Sequence, residues 1–276
     1  SGSTGTPKTI VIKKEQMVNS ALATGKYFNL LPKSTALLCL PATYIAGKMM
    51  LVRAMMLGLD LHIVSPSSKP LEGVNRNFDF GAMVPLQVDN SIENLHRIKN
   101  LIIGGAPIFT ALRNELKNVS NASYETYGMT ETITHIAVKP LNKGAVENIP
   151  FSILPDVIIA KDDRGCLVIN APKVSDDTIV TNDVVELISD TEFKWLGRFD
   201  NIINSGGIKL NPEQIESKLS NVLEQAFFIN SVFDAKLGEQ LILVVEGTAN
   251  VASLMKDIVA ENVLSKYEIP RQIKTI

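Results

Sequence analysis

The chain has 276 residues, of which 45% are hydrophobic, and its formal net charge is -2. This length and composition allow a sizeable buried core and predict a soluble protein of two domains. The near-neutral balance of 27 basic against 29 acidic residues excludes an electrostatic nucleic-acid binder, because such proteins concentrate Lys and Arg to neutralise phosphates.

The chain opens on SGSTGTPKTIVI, a stretch whose glycines, hydroxyls and lysine are typical of a phosphate-binding loop. A P-loop needs GxxxxGK[ST] followed by a helix, but Pro7 stands where the final glycine is required and cannot supply a backbone N–H. The TIVI run after Lys8 also predicts a strand and not a helix. We therefore predict a loop that closes over phosphates, with Lys8 as a point charge. A Ser/Gly linker is the alternative.

Short apolar runs alternate with helix-like segments as far as about residue 140. TALLCLP (35–41), LDLHIVSP (59–66) and NLIIGGAP (100–107) have the composition of strands, whereas AGKMMLVRAMMLG has apolar positions at helical spacing. This alternation predicts a layered α/β domain. The apolar stretch 46–64 is interrupted by charged residues, so it predicts buried core and no membrane span.

After about residue 140 the pattern of apolar and polar residues changes. FSILPDVIIAKDDRGCLVINAP predicts a β-hairpin with DDRG as its turn, and a mixture of strands and helices follows Arg198. We place a domain boundary near Asp200. This boundary gives a large domain 1–199 with a β-rich part and a small α+β domain 200–276.

The stretch SYETYGMTET (123–132) combines three groups that bind nucleotides. The ring of Tyr127 can stack on a nucleobase, the hydroxyl of Thr130 can bind a phosphate oxygen, and the carboxylate of Glu131 can hold Mg²⁺. Any one such residue in a loop is more often a solvated or capping group. The order of motifs along the chain therefore carries the interpretation.

Five motifs occur in order: SGSTGTPK, GGAP, YGMTE, the Asp of TND, and GRFDNIINSGGIKLNP. Together they resemble the adenylate-forming superfamily of acyl-CoA synthetases, peptide-synthetase adenylation domains and luciferases. The resemblance implies an α/β fold in which a large layered N-terminal domain with a β-rich subdomain precedes a small mobile C-terminal domain. It also implies a reaction in which a carboxylate attacks the α-phosphate of ATP in the presence of Mg²⁺. Pyrophosphate leaves, and a thiol such as coenzyme A then captures the acyl-adenylate.

The resemblance assigns roles to residues of the large domain. The family's phosphate loop corresponds to the start of the chain, with contacts from Ser1, Ser3, Thr4, Thr6 and Lys8. The segment along the adenine corresponds to Gly104, Gly105, Ala106 and Pro107. Tyr127, followed by Gly128, corresponds to the ring that stacks on adenine. Thr130 corresponds to the α-phosphate contact and Glu131 to the Mg²⁺ ligand, and with Lys8 they are the predicted catalytic residues.

Further roles fall near the predicted domain boundary. Asp183 corresponds to the carboxylate that binds both ribose hydroxyls, Arg198 to a second ribose contact, and Asp200 to the hinge of the small domain. The loop that lines the pantetheine channel corresponds to Ser205, Gly206 and Gly207. The sequence departs from the family at Asn182, where a glycine is usual, and at Asn201, which replaces a common second Asp. We expect Asn182 to be tolerated because Asn adopts left-handed backbone more readily than most residues.

Two parts of the family pattern have no counterpart in the sequence. The family's catalytic lysine lies in a GK motif beyond a YEIP-like stretch, and this chain has Tyr267 to Pro270 and ends at Ile276. Lys274 lacks the glycine context, so we give it no catalytic role. The portion that precedes the phosphate loop in the family is also missing. The expectation is a chain shortened at both ends, or a compact member of the family.

The segment LPATYIAGKMMLVRAM bears on the acid substrate, because in acyl-CoA synthetases this strand-to-helix junction borders the acyl pocket. The segment looks most like the o-succinylbenzoate-CoA ligases of menaquinone synthesis in Bacteroidetes-type bacteria. We predict Tyr44 and Lys48 as pocket residues, together with His135, which follows YGMTE closely. An aromatic diacid needs an apolar slot and a cation for its distal carboxylate, which Lys48 or Arg53 could supply. The alternative is that both cations extend from a core helix to solvent.

Three functions stay open at this point. The first is an AMP-forming acid–CoA ligase that uses ATP, Mg²⁺ and coenzyme A, with o-succinylbenzoate as the preferred acid. The second is a stand-alone adenylation domain that loads a carrier protein, but the pocket segment 41–47 lacks the Asp that would pair with an amino group. The third is a non-catalytic adenylate-binding module.

Glu125 and Asp156 lie outside the residues to which the resemblance assigns a role, and both are predicted to be structural.

Cys39 and Cys166 lie in separate apolar runs without a CxxC or a Cys/His cluster, which indicates neither a disulfide scaffold nor a zinc site. We expect a cytoplasmic enzyme of small-molecule substrates that binds neither nucleic acid nor membrane. A homodimer is left open.

Overall fold

The computed structural model describes residues 9–142, 149–223, 225–248 and 250–276. The chain divides into two compact units. The first unit contains the described residues up to Ala160 together with Val168–Val180 and Leu187–Lys194. The second unit contains Lys161–Leu167, Thr181–Glu186 and Trp195–Ile276. The domain boundary near Asp200 stays a prediction.

The first unit is built on a sheet that begins with parallel strands. These strands and their continuation are β1 (Thr35–Leu38), β2 (Asp60–Ile63), β3 (Phe78–Met83), β4 (Ile98–Ile103), β5 (Ala122–Gly128), β6 (His135–Pro140) and β7 (Phe151–Ile153). The order β2-β1-β3-β4-β5 is parallel throughout, and β6 and β7 follow in antiparallel pairing. The order continues β7-β11-β10-β9-β8. These last four strands, which contribute residues to both units, are β8 (Ile158–Lys161), β9 (Cys166–Asn170), β10 (Ile179–Ser189) and β11 (Glu192–Arg198).

Helices cover both faces of the parallel strands, because alternate residues of a strand point to opposite layers. They are α1 (Lys14–Tyr27), α2 (Ile45–Leu57), α3 (Pro85–Asp89) and α4 (Thr110–Leu116), with 3₁₀ turns at Ile92–Arg97 and Thr130–Thr132. In β1, Leu37 packs in one apolar cluster with Leu112 of α4, whereas Leu38 packs in another with Met50 of α2. This arrangement confirms the predicted layered α/β fold.

Four loops of the first unit lie at one edge of the parallel sheet, where β1, β3, β4 and β5 end. Ligands of open α/β sheets bind at this carboxyl edge. The loop after β1 leads into α2, whose start is packed tightly on it: a Cβ added at Gly47 would lie 2.3 Å from the carbonyl oxygen of Pro41. Because a larger residue cannot fit there, the glycine of the AGKMM segment fixes the start of α2 against the edge.

The second unit carries its own sheet and core. Its elements are the 3₁₀ turn Phe199–Asn201, β12 (Ile203–Ser205), β13 (Ile208–Leu210), α5 (Pro212–Leu219), β14 (Phe227–Asp234), β15 (Gly238–Val245), α6 (Val251–Ala260) and β16 (Gln272–Thr275). The sheet has the order β13-β12-β15-β14, and β16 pairs with β15 in parallel. Ile215 of α5 and Ile258 of α6 pack against Leu243 of β15 in one apolar cluster.

The helices are short for a bilayer. Within the described ranges, none combines the length and the apolar character that a membrane span requires.

Candidate active site

The loop after β4 presents backbone instead of side chains. A Cβ added at Gly104 would lie 2.4 Å from the hydroxyl oxygen of Thr126 on the neighbouring strand β5, and the Gly104 amide donates to the carbonyl oxygen of Met83 at 3.2 Å. Gly105 has a φ of +87°, which favours glycine. The loop from Gly105 to Pro107 is exposed, with Ala106 between them. A flat ligand can therefore approach the main chain closely here.

The end of β5 carries Tyr127 and a bulge. The pairing of β5 with β6 shifts between Tyr127 and Gly128, and such bulges reorient the chain next to functional sites. A Cβ added at Gly128 would lie 2.2 Å from the carbonyl oxygen of Thr134, so only glycine fits. The ring of Tyr127 packs on Phe193, at 5.2 Å between centroids, and on Phe151, at 5.9 Å. The predicted stacking ring is thus held by two other aromatic rings.

Thr130 and Glu131 lie on the 3₁₀ turn that follows β5. The turn is fixed by Thr132, whose hydroxyl oxygen accepts from the Met129 amide at 3.0 Å. It ends at Ile133, which is fully buried with a φ of +68°, a strained backbone for a β-branched residue. Glu131 is exposed at this turn.

The chemistry of Glu131 fits the predicted Mg²⁺ site. Mg²⁺ is usually held by one or two carboxylates and completes its shell with substrate phosphates and water. A dedicated cluster is not required, and the described part of the chain contains no group of three or more His, Cys, Asp or Glu that could hold a metal ion.

The pocket residues predicted on α2 differ in their environment. Tyr44 is the N-cap of α2 and is 71% exposed, and Lys48, one turn later, is also exposed. Arg53 is only 2% exposed. The sequence-based alternative in which Arg53 extends to solvent is therefore wrong. Its position three residues after Met50 places it on the buried face of the helix.

The guanidinium of Arg53 is buried among neutral groups. Nε donates to the hydroxyl of Thr24 at 3.3 Å, and Nη2 donates to the hydroxyl of Thr134 at 3.2 Å. Nη1 lies 3.6 Å from the sulfur of Met50. Burial lowers the pKa of Arg53 to about 10, which leaves it charged at neutral pH. No carboxylate of the described residues forms an ion pair with it, so this buried cation lacks a counter-ion within those ranges.

His135, the first residue of β6, lies beside this cation. It is 7% exposed, and its Nε2 atom has no hydrogen-bond partner among the described residues. Burial, and then the charge of Arg53, lower the pKa of His135 to about 3. His135 also lines a cavity of about 210 Å³ together with Ser20 of α1 and Lys173. The imidazole is therefore neutral at physiological pH, and its Nε2 atom is available for a hydrogen bond with a ligand.

His135→Gln is expected to reduce the loss of stability on acidification. In the range from pH 6.5 to about 3 the unfolded chain binds a proton at His135 that the folded chain does not, so the free energy of unfolding falls as the pH falls. The slope approaches about 1.4 kcal/mol per pH unit. In urea unfolding at about pH 7 and about pH 5.5, we expect wild type to lose about 1 kcal/mol more than the variant. Equal losses would contradict the neutral, buried imidazole.

In the second unit, the predicted ribose residues form one group. Asp183 is 7% exposed. Its Oδ1 atom accepts from the indole N–H of Trp195 at 3.1 Å and lies 3.5 Å from Nη1 of Arg198. Trp195 was missed by sequence reasoning. The sequence does place Trp195 close to Arg198, on the same strand and two residues before Gly197. It does not show that this strand pairs with the strand of Asp183, so the contact between Trp195 and Asp183 could not be predicted.

If Asp183 binds the ribose of ATP, as the resemblance implies, Trp195→Phe is expected to weaken ATP binding about tenfold, because the ring is kept while a hydrogen bond to this carboxylate is lost. Trp195 is the only tryptophan of the chain, so its fluorescence reports directly on the Asp183 group. Titration of wild type with ATP should change this fluorescence, and calorimetry should give the affinities of both proteins. Equal ATP affinities would show that Trp195 does not orient Asp183.

Asn182 has a defined partner in the second unit. Its amide donates to both carboxylate oxygens of Asp200, at 3.2 Å and 3.0 Å, and its carbonyl oxygen accepts from Arg164 at 2.8 Å. Asp200 also accepts from Arg198 at 3.1 Å. Asn182 lies in β10 without a positive φ, so its tolerance at this position does not depend on left-handed backbone. The side chain instead ties the predicted hinge residue to the strand that carries Asp183.

The loop of Ser205, Gly206 and Gly207 forms the tight turn between β12 and β13. Gly206 and Gly207 have φ values of +62° and +85°, the backbone that this kind of hairpin turn demands. Both glycines are exposed. The role of this loop in a pantetheine channel stays a prediction.

The first unit brings together part of the predicted site. The loop of Gly104, the ring of Tyr127 and the turn of Thr130 and Glu131 share the carboxyl edge of β4 and β5. Asp183, Arg198 and Asp200 form a separate group within the second unit. The predicted phosphate-loop residues lie outside the described residues: Ser1, Ser3, Thr4, Thr6 and Lys8.

The comparisons with known proteins agree with this reading of the fold. The 2-succinylbenzoate–CoA ligase of Listeria monocytogenes serotype 4b (strain F2365) is 25% identical over 308 aligned positions, which cover 100% of this chain and 64% of that protein. The O-succinylbenzoate coenzyme A synthetase of Bacillus subtilis, in complex with ATP and magnesium ion, has a TM-score of 0.85 at 20% identity over 100% of this chain and 65% of that chain. At that identity the likeness shows the fold alone. The chain thus spans less than two thirds of the length of each of these two relatives.

A second solved structure is more similar in sequence. It is described as an acyl-CoA synthetase (AMP-forming)/AMP-acid ligase II-like protein from Dyadobacter fermentans DSM 18053, and it is 39% identical with a TM-score of 0.69. The match covers 100% of this chain and 82% of that one. The sequence profile of the family described as AMP-binding enzyme matches residues 1–167, more than half of the chain. The chain therefore belongs to the family of AMP-binding enzymes.

Proposed function

We propose that this chain is the adenylate-forming part of an AMP-forming acid–CoA ligase. Membership of the family supports the activation of an acid by ATP, and each of the two units supplies suitable groups. The Gly104 loop and Tyr127 offer a flat surface for a base, and Asp183 with Arg198 offers an acceptor and a donor for ribose hydroxyls. An exposed carboxylate, Glu131, is suited to Mg²⁺.

The proposed reaction has two steps. In the first, a carboxylate oxygen of the acid bonds to the α-phosphorus of ATP and the bond to pyrophosphate breaks. In the second, the sulfur of coenzyme A bonds to the acyl carbon, its proton is lost, and AMP leaves. Thr130 would donate to an α-phosphate oxygen as charge builds up in the first step, and Mg²⁺ held by Glu131 would neutralise phosphate charge.

We further propose that the acid is a dicarboxylate, with o-succinylbenzoate as the specific candidate. The observation that carries this proposal is the buried, charged guanidinium of Arg53. An isolated buried cation costs several kcal/mol, and a carboxylate brought in by the substrate would offset that cost. The neutral His135 beside it has a nitrogen, Nε2, with no hydrogen-bond partner among the described residues, and this atom could take part in the same contact.

The spacing along the chain suits an acid with two carboxylates. Arg53 lies eight residues after Ile45, the first residue of α2, which at about 1.5 Å per residue is about 12 Å along the helix axis. Thr134, which accepts a hydrogen bond from Arg53, follows Thr130 by four residues. Thr130 and Thr134 therefore cannot be more than about 14 Å apart. One carboxylate could thus contact Arg53 while the other is at the turn of Thr130. This would place the chain in menaquinone synthesis.

The test is pyrophosphate release by the purified full-length protein with ATP and Mg²⁺ and a panel of acids: o-succinylbenzoate, benzoate, succinate and phenylacetate. We expect release with o-succinylbenzoate above all others, and an acyl-CoA product when coenzyme A is added. Failure of every acid in an ATP-binding protein would favour a non-catalytic adenylate-binding module. Adenylate formation that coenzyme A does not convert to a thioester would favour the carrier-loading domain. Equal rates with benzoate would contradict the dicarboxylate.

A further inference from the structure

Four residues form a row across neighbouring strands of the first unit. Glu125 of β5 lies opposite Lys139 of β6, and Phe151 of β7 lies opposite Phe193 of β11. The register between β6 and β7 brings Lys139 opposite Phe151. We call Glu125, Lys139, Phe151 and Phe193 the cross-strand row. Tyr127 lies two residues after Glu125 on the same strand and therefore on the same face of the sheet.

The charged end of the row is closely paired. Arg113 of α4 donates through Nη2 to both carboxylate oxygens of Glu125, at 2.8 Å and 2.7 Å, and Nζ of Lys139 lies 2.6 Å from Oε2 of Glu125. The side chains of Glu125 and Lys139 are 14% and 19% exposed. Burial raises the pKa of Glu125, but Lys139 and Arg113 outweigh it and the pKa is lowered overall. The carboxylate therefore stays ionised and fixes the lysine.

The aromatic end of the row leads to Tyr127. The ammonium of Lys139 lies 4.4 Å from the centroid of the Phe151 ring. Phe151 stacks on Phe193 with 5.5 Å between centroids and 22° between planes, and Tyr127 meets Phe193 nearly edge-on at 81°. A cation over a partly desolvated ring is attracted to the ring face, so it holds the orientation of that ring as well as its position.

We propose that Lys139 is a positioning residue for recognition of the nucleotide base. It is fixed by Glu125, it holds the Phe151 and Phe193 pair, and through that pair it sets the plane of the Tyr127 ring. The inference rests on the proposed function, in which Tyr127 stacks on the base. It assigns a role to Lys139, Phe151 and Phe193, which no sequence motif contains, and to Glu125, which sequence reasoning left as structural.

Packing alone does not require a cation in this row. A methionine at position 139 would fill similar space at lower desolvation cost, because burying charges is expensive even when they are paired. The lysine adds an orientation-dependent attraction that methionine lacks. A purely structural role would therefore appear in stability, whereas a positioning role would appear in the affinity for the nucleotide.

The experiment measures the affinity of the purified chain for ATP by calorimetry. Lys139→Met is expected to weaken binding about fivefold to tenfold, the size of a partly desolvated cation–ring contact. Lys139→Arg keeps a cation over the ring and should stay within about twofold of wild type. The matched control is Lys99→Met, because Lys99 is an exposed lysine on β4 of the same unit. If Lys139→Met does not fold, Lys139→Gln removes the charge over the ring while its amide can still donate to Glu125. This variant tests the same link and should weaken ATP binding by a similar factor.

The second readout is the coupling to Tyr127. If Lys139 acts through the tyrosine, the double variant Lys139→Met with Tyr127→Leu should bind ATP as weakly as Tyr127→Leu alone. Additive losses, or unchanged ATP affinity of Lys139→Met in a wild type that binds ATP, would overturn the positioning role. A wild type that binds no ATP would instead overturn the proposed function itself, so the two failures are distinguishable.

Discussion

Glu131→Gln is expected to lower the rate of pyrophosphate release by about a hundredfold to a thousandfold while leaving the fold intact, the size that loss of one transition-state contact typically has. The proposed role of the carboxylate is to hold Mg²⁺ against the phosphates, and a neutral amide is a much poorer ligand for this cation. Glu131 is exposed on its 3₁₀ turn. Surface substitutions of this kind usually change the free energy of unfolding by no more than about 0.5 kcal/mol.

The measurement is pyrophosphate release at increasing Mg²⁺ concentration for wild type, Glu131→Gln and a matched control. Glu115→Gln serves as the control, because Glu115 is an exposed glutamate of α4 in the same unit. Both variants should melt at the temperature of wild type. Glu131→Gln should need more Mg²⁺ for half its maximal rate, whereas the control should not. An unaltered rate, or a reduced rate with an unaltered dependence on Mg²⁺, would remove the metal assignment.

The parts of the site that the sequence predicts are those built from consecutive residues. The glycine after β4 and the turn after β5 could be recognised because each segment contains a position where only glycine fits. Gly104 is confined by Thr126, and Gly128 by the main chain of Thr134. Only glycine meets these conditions, so the residues stand out in the sequence. The alternation of apolar strands and helices likewise reports the layered fold, because each strand must be buried on both faces.

The cross-strand row could not be predicted in the same way. Lys139, Phe151 and Phe193 come from three strands and are brought side by side only by the register of the sheet. In the sequence, each phenylalanine is an ordinary apolar residue of a strand, and the lysine is an ordinary charged one. Their juxtaposition depends on pairings between residues far apart in the chain, which a local pattern does not contain.

The burial of Arg53 follows in part from a local pattern in the sequence, the helical spacing of α2. By composition alone, Lys48 and Arg53 are equivalent cations of a core helix. Helical spacing separates them, since Arg53 follows the buried Met49 and Met50 by one turn whereas Lys48 is exposed. A long cationic side chain can still reach solvent from many positions, so only the structure shows that this one does not.

Arg53→Met is expected to raise the KM for o-succinylbenzoate by about a hundredfold, in line with the loss of a buried, charged contact to the ligand. The affinity for ATP should stay at the wild-type value, because the proposed contact of Arg53 involves only the distal carboxylate of the acid. Arg53→Lys keeps the charge but lacks the planar guanidinium, which can bind a carboxylate through two hydrogen bonds, so an intermediate effect is expected. Lys48→Met tests the other candidate cation, and we expect the large effect at Arg53. Steady-state kinetics with o-succinylbenzoate and calorimetry with ATP give both quantities.

The stability of Arg53→Met separates a substrate-binding role from a structural one. The hydroxyls that Arg53 contacts have other partners: Thr24 donates to the carbonyl oxygen of Ser20 at 3.0 Å, and Ser20 and Thr134 share a hydrogen bond of 3.0 Å. Removing the guanidinium therefore leaves these polar groups paired and removes a buried charge. We expect the free energy of unfolding without substrate to rise by about 1 kcal/mol or more. A loss of about 3 kcal/mol would instead mean that the cation holds the fold together, and the dicarboxylate proposal would lose its main support.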